Sequence, residues 1–355
     1  MMARPRFHAV ILAGGAGERF WPASRQKHPK PFLEVADGKT LLDATVDRAH
    51  RFASKDCVWV VCGADHAKRV RRATGLPAKR VLVEPTRRNT AMAVAWAAQR
   101  IAADDPGAVL AILPADHRIP DAKAFADAMR RAARAAREGE ALLTLGVKPT
   151  RPDTGYGYIQ VGKPAGRSWP GVRRVSRFVE KPDAARARRY LRAGGYLWNA
   201  GIFVFRADIL LEELARHAPE ISRSLPRGKS AAAVARAYEK APSEPIDTAV
   251  MERSEKVWTL PVTFHWSDVG TWLSLAEELG VSDGKSRVIG GELLFDDTGG
   301  NLVWGGPRRG IALLGVEGLA VIDTGDVLLV TKLDRSADVR EIVALLKKRG
   351  RSDVT

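Results

Sequence analysis

The sequence contains little cysteine and no long apolar run. Only Cys57 and Cys62 occur in 355 residues, both in the run CVWVVCG. Side chains five positions apart on a strand point to opposite faces, so these two thiols cannot form a local disulfide. We interpret them as buried free thiols, ahead of metal ligands. No apolar stretch of about eighteen residues occurs, which argues against a membrane-spanning helix.

The N-terminal segment MMARPRFHAVILAGG lacks a signal-type cleavage site. Its basic residues precede an apolar run that continues straight into glycines, and we interpret this run as a first strand. The protein is therefore expected in the cytoplasm.

Acidic residues are outnumbered, with 41 Asp and Glu against 57 Lys and Arg and a formal net charge of +16. Nucleic acid is the obvious partner for such a chain. The basic residues are scattered, however, and many lie in alanine-rich helical stretches such as residues 128–140. Zinc-finger spacing, aromatic RNA-binding motifs and a basic arm are all missing. We therefore favour a solvated basic surface over nucleic-acid binding, with an attraction for small polyanions left open.

The first third of the chain alternates between short apolar runs and helical patterns. Strand-like runs are FHAVILAGG, CVWVVCG, RVLVEP, VLAILPAD and ALLTLGV, and helical stretches lie between them, one of which Asp121 can cap. Such alternation predicts βαβ units on a parallel sheet. Further strand-like runs and a helical stretch over about 207–256 follow. The predicted fold class is α/β, a Rossmann-like doubly wound mixed sheet.

From about residue 284 the pattern changes to short β runs that recur every eight to ten residues, each ended by Gly or Asp. This predicts a small all-β module, β-helix-like in type, followed by one amphipathic helix with Ser336 as a candidate N-cap. The predicted domains are then 1–283 and 284–355, and the second consists of the β module with its terminal helix. The module carries no evident chemistry, so we expect a structural or oligomeric role for it.

The segment LAGGAGERFWPASRQKHPKPFL, residues 12–33, follows the first strand. Its glycines Gly14, Gly15 and Gly17 allow a tight turn that presents backbone N–H groups to phosphate oxygens. The dinucleotide pattern GxGxxG is excluded because Phe20 stands at its third glycine. The Walker pattern GxxxxGK[ST] is excluded because Arg19 and Phe20 stand where Gly-Lys belongs.

Two cations accompany this loop. Arg19 follows the last glycine by two residues, and Lys30 stands between Pro29 and Pro31, which stiffen the backbone on both sides of it. Two pre-placed cations beside bare amides suit a triphosphate. The segment 24–28, SRQKH, either folds over the phosphates or is exposed to solvent.

The position of Asp116 makes it a candidate metal ligand. Asp116 in LPADH closes the fourth strand of the alternating series, and a doubly wound sheet places that strand end opposite the glycine loop. A carboxylate there can hold Mg²⁺, which prefers oxygen ligands and keeps phosphates and waters in its other positions. Asp268 in WSDVGTW lies in a turn, and by itself it would be read as a plain turn residue.

In combination these motifs resemble the signature of the sugar-nucleotide pyrophosphorylases, and more closely its mannose-1-phosphate guanylyltransferase branch. The resemblance runs from residue 7 to about 340. The matching motifs after the loop are EPTRRNTA (84–91), LPADH (113–117), TGYGYI (154–159), FVEKP (178–182), WNAGIFVF (198–205), PIDTAVME (245–252) and WSDVGTW (266–272).

The resemblance implies a nucleotidyltransferase (GT-A-like) fold, with residues 1–283 as the catalytic domain. It implies transfer of GMP from GTP to mannose 1-phosphate, with Mg²⁺ held by Asp116 and Asp268 and a homodimer as the assembly. It implies a catalytic set of Arg19, Lys30, Asp116 and Lys181. The implied nucleotide-binding residues are Leu12, Ala13, Gly14, Gly15, Gly17, Asn89, Thr90 and Pro114. The implied sugar-phosphate residues are Gly157, Glu180, Lys181 and Asn199. No covalent intermediate is needed, and the sequence shows no Ser-His-Asp or Cys-His set. A related transferase for another base or sugar, such as a glucose-1-phosphate thymidylyl- or uridylyltransferase, stays open, as does a non-catalytic nucleotide-sugar-binding protein.

Overall fold

The computed structural model describes residues 6–15, 17–36, 38–306 and 309–355. Within these ranges the strands are β1 Phe7–Ala13, β2 Glu34–Ala36, β3 Lys39–Thr40, β4 Val58–Gly63, β5 Val81–Glu84, β6 Val109–Pro114, β7 Leu142–Val147, β8 Tyr158–Pro164, β9 Arg173–Val179, β10 Tyr196–Arg206, β11 Val257–Val262, β12 Arg287–Ile289, β13 Glu292–Asp296, β14 Leu302–Trp304, β15 Gly310–Leu313, β16 Leu319–Asp323 and β17 Leu328–Lys332. The α-helices are α1 Leu41–Ala49, α2 Ala67–Thr74, α3 Asn89–Ala102, α4 Ala122–Gly139, α5 Ala184–Ala193, α6 Ala207–His217, α7 Pro219–Ser224, α8 Ala231–Lys240, α9 Trp272–Glu278 and α10 Val339–Lys348.

The chain divides into two compact units. The first takes the described residues up to Gly14 together with Thr45–Ala115 and Ile119–Trp266. Its nine-stranded sheet has the order β5-β4-β1-β6-β10-β7-β11-β9-β8, with a further pairing of β10 and β8. The four strands β5, β4, β1 and β6 run parallel, and β10 joins β6 in the antiparallel sense. The predicted mixed α/β sheet is confirmed.

Apolar runs explain why the central residues of β1 are buried within the parallel part of the sheet. Val10 and Ile11 of β1 are fully buried, as expected for strands with both faces covered. Helix α3 follows β5, and its alanine-rich sequence lets the backbone approach the sheet closely, with Ala91 completely buried. Helix α4 follows β6, and the carboxylate of Asp121 accepts the Ala124 N–H at 2.9 Å, which confirms Asp121 as its cap.

Cys57 and Cys62 are buried and free, as predicted. The structure adds a contact that the sequence did not indicate, because Cys57 Sγ lies 3.9 Å from His8 Nε2, which lies 2.9 Å from Asp105 Oδ2. Burial raises the pKa of the Cys57 thiol and lowers the pKa of His8. With Cys57 only 1% exposed, this arrangement is a packed interior and not a nucleophile site.

The second unit takes Gly15–Ala44, Asp116–Arg118 and Ser267–Thr355. Strands β12, β14 and β16 pair in parallel, β17 closes that sheet in the antiparallel sense, and β13 pairs in parallel with β15. Short parallel strands joined by turns are the arrangement of a β-helix, so the predicted C-terminal all-β module is confirmed. The boundary at residue 284 stays a prediction. The signature loop belongs to the same compact unit as this module, which the sequence did not indicate.

Aromatic packing holds the signature loop in the core of the second unit. Phe20 and Trp272 are fully buried with ring centroids 4.7 Å apart, and Trp272 Nε1 donates to the Trp21 carbonyl at 3.2 Å. Val339 and Val343 of α10 are buried in the same core. These contacts join the loop, the WSDVGTW segment and the terminal helix.

The predicted N-cap of the terminal helix is wrong. A 3₁₀ turn, Leu333–Asp338, precedes α10, and Asp338 occupies the cap position. Ser336 is buried, and its Oγ accepts the Leu273 N–H at 3.1 Å. Its hydroxyl therefore serves a contact far away in the sequence. In the described ranges, no helix is both long and apolar enough to cross a membrane.

Candidate active site

Gly17 is the one loop glycine whose conformation requires glycine. Its φ is +63°, and a Cβ there would lie 2.5 Å from the Lys30 Cβ and 2.7 Å from Ser24 Oγ. Gly14 and Gly15 have room for a side chain, with only Glu84 Oε2 at 3.6 Å from the Gly14 position. Gly17 thus brings the loop backbone against Lys30, while small residues at 14 and 15 leave the backbone open to a ligand. Ala16 lies outside the described residues.

Lys30 is buried at the start of the 3₁₀ turn Lys30–Phe32, with Pro29 before it and Pro31 after it. Its Nζ donates to Asp116 Oδ2 at 2.8 Å and to the Asp268 backbone carbonyl at 2.7 Å. The structure therefore brings a predicted phosphate-binding lysine together with both predicted metal ligands. In this state its ammonium is directed at protein oxygens.

The environment of Asp116 favours its charged form. Burial pushes the pKa of this carboxyl upward, but the Lys30 ammonium and His117 outweigh burial, and the net direction is downward. The side chain keeps 32% of its surface exposed, and only Oδ2 is bound to Lys30. Oδ1 is thus available to a cation at neutral pH.

Asp268 lies in a strained turn. Val269 has φ +45°, an unusual conformation for a β-branched residue, and a Cβ at Gly270 would lie 2.7 Å from Asp268 Oδ2. Gly270 therefore makes room for the carboxylate. Strain of this kind persists only where the surroundings enforce it, and it concentrates at functional sites. Asn89 and Lys181, two other predicted site residues, also have positive φ, at 60° and 45°.

A cavity of about 410 Å³ in the second unit collects these groups. It is lined by Gly17, Glu18, Arg19, Phe20, Lys30, Asp116, His117, Asp268, Gly270 and Arg340. The predicted residues Arg19, Lys30, Asp116 and Asp268 all line it. His117, which the sequence indicates as a structural or polar-contact residue, also lines it. Arg340 was missed altogether.

This cavity fits a divalent cation by the chemistry of its donors. Two carboxylates from distant segments supply hard oxygen ligands, and phosphate and water complete the coordination of such ions in nucleotide sites. Among the described residues no cluster of three or more His, Cys, Asp or Glu side chains is arranged for a metal. With two carboxylates as ligands, a cation here would take phosphate and water oxygens as its other ligands.

In the segment 24–28, the side chain of Arg25 is bound to other groups of the protein. The Arg25 guanidinium donates to Asp326 at 2.6 and 2.8 Å and to the Pro22 carbonyl at 2.8 Å. The bidentate ion pair holds the pKa of the Asp326 carboxyl well below its usual range. Arg25 therefore fastens the loop to the β16–β17 turn.

In the first unit, the ends of β1 and β6 lie side by side, with Leu12 opposite Pro114. This is the adjacency predicted for the first and fourth strands of the alternating series. Ala13 is buried, and the Leu12 carbonyl accepts the Ala115 N–H at 3.0 Å. Their nucleotide-binding role stays a prediction.

Glu84 is a site residue that sequence reasoning missed, although it opens the EPTRRNTA motif. It is 7% exposed at the C-terminal end of β5, and its Oε2 lies beside Gly14. Burial raises the pKa of the Glu84 carboxyl to about 7, while the Tyr238 hydroxyl and the Arg87 charge oppose the shift. The sequence feature that could have identified Glu84 is its position as a carboxylate at the C-terminal end of a predicted parallel strand.

Asn89 and Thr90 begin helix α3, as predicted. Asn89 Oδ1 accepts the N–H of Thr90 at 2.8 Å, and Asn89 is exposed. Thr90 Oγ1 accepts the Ile246 N–H at 2.9 Å, which ties it to the PIDTAVME segment. Asn89 is thus the more available of the two for a ligand.

The predicted sugar-phosphate residues also come together in the first unit. A Cβ at Gly157 would lie 2.6 Å from Glu180 Oε2 and 3.3 Å from the Asn199 Cβ, so glycine is needed for this approach. The sequence did not require Glu180 and Lys181 to pair, but the Lys181 ammonium donates to Glu180 Oε1. Lys181 lies beyond the end of β9, where strand alternation no longer holds. Its side chain is 59% exposed, against 13% for Glu180.

Within this cluster Asn199 is hydrogen-bonded to Asp247, a residue that the sequence did not indicate. Its Nδ2 donates to Asp247 Oδ1 at 2.8 Å, and its Oδ1 accepts from Thr144 Oγ1 at 2.7 Å and from the Gly201 N–H at 3.1 Å. Burial, and then the charge of Glu180, raise the pKa of the Asp247 carboxyl to about 7. The cluster thus holds two facing carboxyls beside one exposed ammonium.

Comparison with known proteins agrees with this geometry. The sequence model described as nucleotidyl transferase matches residues 8–280, and the chain belongs to that family. A second model, described as the MannoseP isomerase/GMP-like beta-helix domain, matches residues 292–346. The enzyme class and the fold predicted from the motifs are confirmed.

The chain is also similar over most of its length to individual proteins. The chain is 39% identical over 355 residues to the alginate biosynthesis protein AlgA of Pseudomonas aeruginosa, covering 97% of this chain and 73% of the relative. It is 36% identical over 358 residues to a mannose-1-phosphate guanylyltransferase of Escherichia coli, covering 97% and 74%. A crystal structure from Thermus thermophilus, described as a mannose-1-phosphate geranyltransferase, superposes with a TM-score of 0.87 at 37% identity, covering 96% of this chain and 99% of that one.

Proposed function

We propose that this nucleotidyltransferase transfers GMP from GTP to mannose 1-phosphate and releases pyrophosphate. The observation that carries the proposal is the cavity that brings Arg19 and Lys30 together with Asp116 and Asp268. The relatives described as mannose-1-phosphate guanylyltransferases support the choice of substrates.

The reaction joins two polyanions, so the work of the protein is alignment and charge neutralisation. An oxygen of mannose 1-phosphate forms a bond to the α-phosphorus of GTP in line with the bond that breaks. The bridging oxygen leaves with the electron pair as part of pyrophosphate. Arg19 and Lys30 stabilise the charge that develops on the phosphates.

Asp116 and Asp268 would hold Mg²⁺, the divalent cation that best matches carboxylate and phosphate oxygens. When bound, such an ion neutralises phosphate charge and orients the triphosphate. The Lys30 ammonium keeps Asp116 ionised before binding. It therefore prepares the carboxylate for a cation as well as contributing its own charge.

Glu84 supports guanine as the base. When ionised, its carboxylate is a double acceptor, and guanine presents the N1–H and N2–H donors side by side, which favour the ionised form on binding. Thymine and uracil offer one N–H between two carbonyl oxygens, which a buried carboxylate would oppose. The proposal is supported by the position of Glu84 Oε2 beside Gly14, one of the predicted nucleotide-binding residues.

On the sugar side, the exposed Lys181 is proposed to bind the phosphate of mannose 1-phosphate. Glu180 is the proposed acceptor for sugar hydroxyls, and Gly157 lets the ring approach the backbone. Since the amide of Asn199 is occupied by protein partners, its part is to hold Asp247 in place. Mannose as the sugar rests on the motif variant and the relatives.

Pyrophosphate release measured over a matrix of triphosphates and sugar 1-phosphates tests the proposal. We expect the highest kcat/KM for GTP with mannose 1-phosphate, and dependence on Mg²⁺. Equal turnover with UTP or dTTP would overturn the base assignment. Binding of GDP-mannose without turnover of any pair would favour a non-catalytic binding protein. Size measurement in solution tests the predicted homodimer.

A further inference from the structure

The terminal helix α10 brings an arginine, Arg340, into the cavity that holds Arg19, Lys30 and the two aspartates. In sequence it is more than 300 residues from the glycine loop, and it belongs to the part of the chain that carried no evident chemistry. Its neighbours Val339 and Val343 are buried in the core that contains Phe20. The helix is therefore packed directly on the loop.

A charged contact reinforces that packing. Lys347, two turns after Arg340, forms an ion pair with Glu18 of the loop. At the chain end, the Val354 carbonyl accepts Trp21 Nε1 at 2.6 Å. The backbone that carries Arg340 is thus held against the loop at several points, and the position of the guanidinium follows from that attachment.

Some of the charged groups that line the cavity are bound to protein partners, and others are not. The Lys30 ammonium is bound to Asp116 and to the Asp268 carbonyl, and Glu18 is bound to Lys347. Within the described part of the chain, the guanidinium groups of Arg19 and Arg340 make no hydrogen bond or ion pair. Two arginines without such partners line one cavity. Their guanidinium groups can bind phosphate oxygens in a forked geometry.

Helix stability does not explain Arg340. It is the second residue of α10, where the positive end of the helix dipole disfavours a cation. The basic residues Lys347 and Lys348 lie in the last turn, where the dipole favours them. The competing explanation is a solvated surface arginine.

We propose that Arg340 is a phosphate-binding residue that contacts the outer phosphates of the triphosphate and the departing pyrophosphate. The inference rests on the proposed function and extends it, because it makes the C-terminal module a contributor to the nucleotide site. As the bond to the α-phosphorus breaks, negative charge grows on the pyrophosphate oxygens. Arg340 neutralises that charge together with Arg19.

Steady-state kinetics of Arg340→Gln test this in both directions of the reaction. We expect KM to rise at least about tenfold for GTP in the forward direction and for pyrophosphate in the reverse direction. The KM of mannose 1-phosphate should change less than about twofold. Arg340→Lys should recover part of the loss, because the charge stays and the fork is lost. Lys348→Gln, on the same helix but outside the cavity, is the matched control and should behave as wild type.

Calorimetric titration with Mg²⁺-pyrophosphate gives a readout without turnover. Arg340→Gln should bind it about tenfold more weakly than wild type, at an unchanged melting temperature. An unchanged pyrophosphate KM and affinity in folded Arg340→Gln would overturn the inference. An equal loss of pyrophosphate affinity in Lys348→Gln would overturn the inference too, since the effect would then not be specific to the arginine in the cavity. If wild type does not turn over GTP at all, the proposed function fails separately, and the pyrophosphate titration still decides about Arg340.

Discussion

The ammonium of Lys30 lies 2.8 Å from the carboxylate of Asp116, and the two residues are 86 positions apart in the chain. The same ammonium also binds the Asp268 carbonyl. One buried lysine thereby joins the signature loop to both predicted metal ligands. Its partners suggest that phosphate binding and cation binding at this site are coupled through Lys30.

The coupling predicts strong and non-additive losses of activity. Lys30→Ala and Asp116→Asn should each lower kcat by about a hundredfold or more, the scale of one preorganised charge contact. The double variant should lose less than the product of the two, because residues that act as a unit are not additive. The matched control is the surface pair Arg100–Asp104, whose removal should leave kcat unchanged. Near-wild-type kcat for Asp116→Asn would remove it from the catalytic set.

Lys181 and Arg19 should affect different substrates. Lys181→Ala loses a charge-assisted contact worth roughly 1.5 to 3 kcal/mol, so the KM for mannose 1-phosphate should rise about ten- to a hundredfold, with little change for GTP. Arg19→Lys should show the opposite bias, since lysine keeps the charge but not the fork. Kinetics that vary one substrate at a time measure both. Equal KM changes for both substrates would contradict separate phosphate subsites.

Glu84 should decide between bases. At about pH 8, above the pKa of about 7, wild-type Glu84 is mainly an ionised double acceptor. Glu84→Gln replaces it by one acceptor and one donor, which suits uracil better than guanine. We expect kcat/KM for GTP to fall at least tenfold. The ratio of kcat/KM for GTP to kcat/KM for UTP should fall by a larger factor, because the variant should also use UTP better. The exposed Glu239→Gln is the control and should leave the ratio unchanged. A wild-type GTP to UTP ratio in Glu84→Gln would show that another residue reads the base.

Glu84 also predicts a pH dependence of stability. Burial raises the pKa of Glu84 to about 7 from 4.5, so the protonated form is favoured in the folded state. The contribution of Glu84 to the free energy of unfolding is fully present below about pH 4.5 and is lost as the pH rises through 7. Glu84→Gln cannot ionise, so its stability relative to wild type should increase by roughly 2 to 3 kcal/mol between about pH 5 and about pH 8. Denaturant unfolding at the two pH values measures this. A constant difference would show that Glu84 ionises normally.

Much of the site followed from the sequence because its residues sit at element boundaries. Asp116 follows the apolar strand β6 within two residues, and Gly17 and Lys30 stand at the starts of 3₁₀ turns. The alternation of strands and helices and the short C-terminal β runs follow from the periodicity of apolar residues. That periodicity reflects local backbone geometry, so it can be read without the fold.

Contacts between distant segments could not be read in this way. The ion pair of Arg25 with Asp326, the place of Asn199 beside Asp247 and the presence of Arg340 in the cavity all depend on where the chain returns after long excursions. Ser336 looked like a helix cap because its local neighbours allowed that role, but tertiary packing gave its hydroxyl a different partner. The sequence by itself determined the class of fold and the residue types at the strand ends. Only the tertiary structure decided which charges face one another, because charge pairing acts through space and leaves no period along the chain.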